Sequence, residues 1–177
     1  TATLRIDNQT FTLSGAVSNP PPLPGYRFTI PGGTTEPLRQ LVLGLTLDEP
    51  YPIAIAGSLT IGFNSDTFAI DPALQFSTGG RIVNFNIPTG STRAIFANGS
   101  TDVRLQTGTV AGSVTLSAAF ATTAGLTLNQ SSQPNFSLNI EKSSPVLLTA
   151  QITGVTPTSF SLIVTGYATG RELTDMD

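Results

Sequence analysis

No stretch of this chain longer than fourteen residues is free of both glycine and proline, and that stretch is the first, Thr1 to Ser14. A proline removes a helical hydrogen bond and clashes with the preceding turn, and an interior glycine costs about 1 kcal/mol of helix stability. Long helices are therefore excluded. Between the interruptions, apolar residues fall on every second position. Leu41, Leu43, Leu45 and Leu47 form one row, and Ile53, Ile55, Leu59, Ile61 and Phe63 follow the Asp48-Glu49-Pro50-Tyr51-Pro52 turn. Val83, Phe85 and Ile87 come next, then Ala94 and Phe96 up to Asn98-Gly99, a dipeptide that predicts a type I′ hairpin turn. Val103 and Leu105, then Val114, Leu116, Ala118 and Phe120, then Leu126 and Leu128, and finally Phe136, Leu138 and Ile140 complete the series. A period of two with one polar face is the mark of antiparallel strands that bury one side. Such strands, closely spaced and without intervening helices, predict an all-β fold: an immunoglobulin-like antiparallel β-sandwich with extra strands at both termini.

Counting strands divides the chain. Seven or eight lie between residues 38 and 142, the complement of one sandwich of about 100 residues. Residues 1–37 then read as N-terminal extension strands followed by a Pro-rich spacer, Pro20-Pro21-Pro22-Leu23-Pro24, that is stiff and extended. Glu141 to Pro145 reads as a linker. Residues 143–177 are a C-terminal β-hairpin or the start of a second β module, too short to bury a core of their own.

Composition removes most chemistries. There is no Cys, no His and a single Lys, Lys142, so no Ser-His or Cys-His nucleophile can be assembled. Zinc, copper and iron lose their preferred ligands for the same reason, and no cofactor is expected. The carboxylate pairs Asp48 with Glu49 and Asp66 with Asp71 sit among turn residues, and turn chemistry accounts for them without a reaction. Calcium at Asp66, Asp71 and Asn64 stays open, although the alternating acidic spacing of a dedicated loop is missing. A net charge of −3 with scattered arginines gives no basic stripe, which excludes nucleic acid, and no apolar run reaches the length of a membrane span. Thr and Ser number 27 and 16, so about a quarter of the residues carry a hydroxyl while few carry charge. That balance places the protein outside the cell or on its surface, with the export signal absent from this sequence.

Three segments carry a family likeness. Leu74-Gln75-Phe76-Ser77-Thr78-Gly79-Gly80-Arg81 runs into Val83-Asn84-Phe85-Asn86-Ile87-Pro88-Thr89-Gly90-Ser91-Thr92, and Leu105-Gln106-Thr107-Gly108-Thr109-Val110-Ala111-Gly112-Ser113-Val114-Thr115-Leu116 follows. Together they resemble the uncharacterised immunoglobulin-like domains of large secreted acidobacterial proteins, over residues 40 to 177 or so. The tail Val164-Thr165-Gly166-Tyr167-Ala168-Thr169-Gly170-Arg171-Glu172 is similar to the start of the module that follows in that family, which continues well past the position of Asp177. The resemblance implies export and a β-sandwich, and assigns no catalytic or binding residue.

The surplus strands carry the functional expectation: a non-catalytic extracellular structural module, a cell-surface or filament-forming subunit that self-associates by β-strand addition. Residues 1–14 read as one long, charge-poor strand whose unmet N–H and C=O groups seek a sheet edge, with Leu4, Ile6, Phe11 and Leu13 as the knobs that set register. Two alternatives stay open. The strand could fold back onto its own domain, or the chain could be an adhesion or polysaccharide-binding module in which Tyr26 or Tyr51 stacks on an extracellular glycan.

Overall fold

The computed structural model describes residues 2–13, 19–30, 32–67, 70–130 and 134–172, and among these every regular element is a strand. Two layers share one core. The larger sheet runs β10 (Ile95–Phe96), β9 (Ile82–Ile87), β7 (Ile55–Ser65), β12 (Gly112–Thr122), β13 (Ser137–Ile140), β4 (Gly33–Thr35). Opposite it lie β5 (Gln40–Leu43), β11 (Val103–Thr107) and β8 (Leu74–Phe76), with the short pair β3 (Tyr26–Phe28) and β6 (Leu45–Leu47) alongside. All neighbours are antiparallel except β13 and β4. The central pair β7 and β12 keeps unbroken register over eleven residues, from Gly112 opposite Ser65 to Thr122 opposite Ile55. That register sets Phe120 across from Gly57, where an added Cβ would strike the Phe85 ring; the missing side chain lets Phe85 and Phe120 meet edge to face at 5.5 Å.

The core is the sum of the alternating rows. Val83, Phe85 and Ile87, Val103 and Leu105, and Val114, Leu116, Ala118 and Phe120 are all buried, with Leu43, Leu45, Leu47, Leu74 and Phe76 closing from the other layer. Three local expectations change. The row from Leu41 to Leu47 is two strands, because at Gly44 the backbone turns its N–H to the Thr29 hydroxyl and crosses from β5 to β6. The Asn98-Gly99 turn is not type I′: only Gly99 takes positive φ, at 76°, and the following strand leaves for the opposite sheet instead of pairing back. Ile53 and Leu126 face outward, since each sits in a connection and not in a strand.

The front of the chain contributes more than a spacer. Leu23, Tyr26 and Ile30 are core residues, β3 pairs with β6, and β4 adds to β13, so the layered body starts well before residue 38. Even the proline run is held, by a 2.6 Å hydrogen bond from the Tyr51 hydroxyl to the Pro21 carbonyl. Prolines lack N–H groups but keep carbonyls, so they can line the flank of a sandwich while leaving no donor unsatisfied. Two hairpins stand outside the core: β1 (Ala2–Ile6) with β2 (Gln9–Leu13), and β14 (Val146–Thr153) with β15 (Ser161–Tyr167).

Candidate interaction surface

The N-terminal segment turns on itself instead of running as one strand. Asp7 adopts a left-handed φ of 55° at the turn, a conformation Asp tolerates better than most side chains, and Ala2 to Ile6 pair with Leu13 to Gln9. Register sorts the side chains. Leu4 lies opposite Phe11 and Ile6 opposite Gln9 on one face, whereas Thr3, Thr12, Arg5 and Thr10 take the other. Leu4, Ile6 and Phe11 thus form an apolar face, about half exposed and uncovered by the sandwich. Leu13 occupies the position opposite Ala2, and its side chain lies outside the described residues.

The C-terminal hairpin is longer and more apolar. Ala150 lies opposite Val164 and Ile152 opposite Leu162, so these four share one face. Leu147, Leu148, Ile152, Phe160, Leu162 and Ile163 are each more than half exposed. From Ser143 to Gly170 there is no Asp, Glu, Lys or Arg. A bulge between Leu147 and Thr149 interrupts the β14 strand near its base, while β15 runs regularly.

A polar clamp fixes where this hairpin leaves the body. Thr169 is fully buried; its hydroxyl accepts from the Ser143 N–H at 2.7 Å and donates to the Ser143 carbonyl at 3.0 Å. The Thr169 carbonyl accepts from the Ala111 N–H, and the Ala111 carbonyl in turn accepts from Asp66. Glu141 to Pro145 is therefore a pinned crossing and not a loose linker. Beside the clamp, Val146, Leu147, Val164, Tyr167 and Arg171 line an open cavity of about 380 Å³.

The sandwich offers little competing edge. Its outer strands β4, β5, β8 and β10 have between two and four residues each. The half of β12 not covered by β13 is capped by residues 126–130, through Thr122 N–H to Leu126, Leu128 N–H to Phe120 and the Gln130 amide to Ala118. Short and capped edges resist strand addition. The terminal hairpins, at five residues per strand in one and eight and seven in the other, pair with nothing further among the described residues.

The other sequence candidates find structural employment. Asp71 is fully buried; one oxygen accepts from Thr109 and Val110 N–H at 2.6 and 2.7 Å, and the other from Ala73 N–H at 3.0 Å. Its main-chain carbonyl takes the Arg81 guanidinium at 2.9 Å. The carboxylate thus sews the 71–73 and 108–110 loops together, while Asp66 stands 4.0 Å from Lys142. Among the described residues no three acidic, His or Cys side chains gather as a metal site would require. Tyr26 and Tyr51 are 6% and 2% exposed, so neither ring can lie flat on a sugar. Burial pushes both phenols above the ordinary tyrosine range, the Ala118 backbone opposing part of the effect at Tyr26.

Reading the sequence alone missed Leu147, Ile152, Leu162, Val164 and Thr169. The sequence places a hairpin within residues 143–177, but nothing local marks which apolar row stays uncovered. Compared with known proteins, the chain matches no family model, no curated protein and no solved structure.

Proposed function

We propose that this protein is a non-catalytic extracellular structural module with an immunoglobulin-like body, acting as a cell-surface or filament-forming subunit that self-associates through its terminal strands. One observation carries the reading: the body's own edges are short or capped, while both terminal hairpins keep open edges and an exposed apolar face. A two-stranded hairpin is marginal in water unless further strands or a packed face support it, so each hairpin gains stability from a neighbour. Backbone pairing would supply affinity, and the rows Leu4, Ile6, Phe11 and Ala150, Ile152, Leu162, Val164 would supply register. The hydroxyl-rich, charge-poor composition agrees with an exported protein. The alternative, an adhesion or polysaccharide-binding module, has less behind it, because the two tyrosines that would stack on a glycan are interior.

Light scattering on the full chain over a wide concentration range tests the reading. Mass rising above 18.4 kDa with concentration is the expected result. A strictly monomeric protein at every concentration would overturn it.

A further inference from the structure

We infer that the free edge of β15 pairs antiparallel with β15 of a second copy, joining two C-terminal hairpins into one four-stranded sheet about a two-fold axis at Val164. This rests on the self-association proposed above and names its joint.

Four observations select that edge. The β14 side of the hairpin is distorted by the bulge between Leu147 and Thr149, and a bulge is the usual device that turns an edge away from partners. The N-terminal hairpin has shorter strands and carries Arg5 and Asp7. The body's edges are short or capped. Among the outer strands of the described residues, β15 alone combines seven regular residues, Ser161 to Tyr167, with no proline and no charge. Edges without charged gatekeepers are the ones that pair.

The same strand indicates the occupant. A partner recognised by ion pairs would find nothing to hold between Ser143 and Gly170, and a second copy meets no repulsion there. Centring the two-fold at Val164 overlaps all seven residues and places Leu162 across from the partner's Gly166, Ile163 across from Thr165, and Val164 across from itself. Gly166 has no side chain, a Cβ there being blocked by the Val146 carbonyl of its own hairpin, so the opposing leucine faces no side chain at that position. Leu162 and Val164 share their face with Ala150 and Ile152, so the pairing doubles one continuous apolar row. Because the strands run antiparallel, the two sandwich bodies fall at opposite ends of the shared sheet.

Charge exchange at the axis tests the joint in the full chain. Val164→Lys sets two ammonium groups directly opposite one another, and Val164→Glu two carboxylates; like charges in that position destabilise pairing. Each variant alone is expected to lose the β15 contact, and an equimolar mixture to recover it as a mixed dimer. Recovery also shows that the variant hairpins still fold. Since the chain has no cysteine, Val164→Cys is a second reading: oxidation should give one covalent dimer, and Thr158→Cys at the hairpin tip should not. If wild type associates but neither charged variant alters its mass, or the mixture fails to recover, this joint is wrong while self-association stands. If wild type never associates, the broader reading has failed.

Discussion

The Thr169 hydroxyl holds both main-chain groups of Ser143, accepting from its N–H and donating to its carbonyl, twenty-six residues away in sequence. This reciprocal pair closes the loop that contains the C-terminal hairpin and ties it to Ala111 on the body. Thr169→Val keeps the shape and removes both bonds that hold the Ser143 main chain. Each such bond is worth about 0.5–1.5 kcal/mol. Hydrogen exchange should accelerate through residues 143–170 while the β7 and β12 amides stay protected, and Thr169→Ser should restore the slow rate.

Asp71 supports a second prediction. Its carboxylate faces three backbone N–H donors, so Asp71→Asn presents an amide where only acceptors fit. The substitution should lower unfolding stability by about 2–4 kcal/mol, from charge-assisted bonds lost in a buried site. Urea denaturation measures it, with the midpoint falling and the slope unchanged. Adding calcium or a chelator should leave the wild-type midpoint where it is, because the oxygens are already engaged.

Gly108 offers an independent probe of the same knot. It sits at a φ of +75°, and a Cβ there would collide with the Asp71 carboxylate. Gly108→Ala therefore combines left-handed strain, about 1–2 kcal/mol, with displacement of the carboxylate from its donors. It should destabilise as much as Asp71→Asn, and the double variant should cost clearly less than the sum.

Alkaline stability follows from the two interior tyrosines. Burial raises the ionisation of Tyr26 and Tyr51 in the folded protein above the ordinary value near 10 that they regain on unfolding. The unfolded state then releases protons more readily, so the stability held below pH 10 drains away as pH climbs past it. Tyrosinate absorbance should rise together with loss of tertiary structure. Tyr51→Phe should blunt the effect, at a cost of about 1 kcal/mol for the bond to Pro21.

Much of the body was legible because burial on one side imposes a period of two: Val83, Phe85, Ile87, Val114, Leu116 and Phe120 occupy the core as their spacing requires. What escaped depends on partners distant in sequence. Leu23 looks like part of a spacer and Tyr26 like a ring free to stack on a glycan until β6 and Phe120 are there to receive them. Residues 1–14 look like one strand because Asp7-Asn8 is a weaker turn signal than Asn-Gly, yet Asp7 makes the left-handed step. The candidate surface was half visible: Leu4, Ile6 and Phe11 stood out by alternation, whereas Val164 matters only once the bulge disqualifies β14.

The bond from Tyr51 to Pro21 sets a leash. Only residues 14–20 separate that anchor from the end of β2, and an extended chain of that length spans at most about 28 Å. Any molecule gripped by the N-terminal hairpin must therefore lie within that reach plus the length of the five-residue hairpin, which caps the repeat of an array built this way.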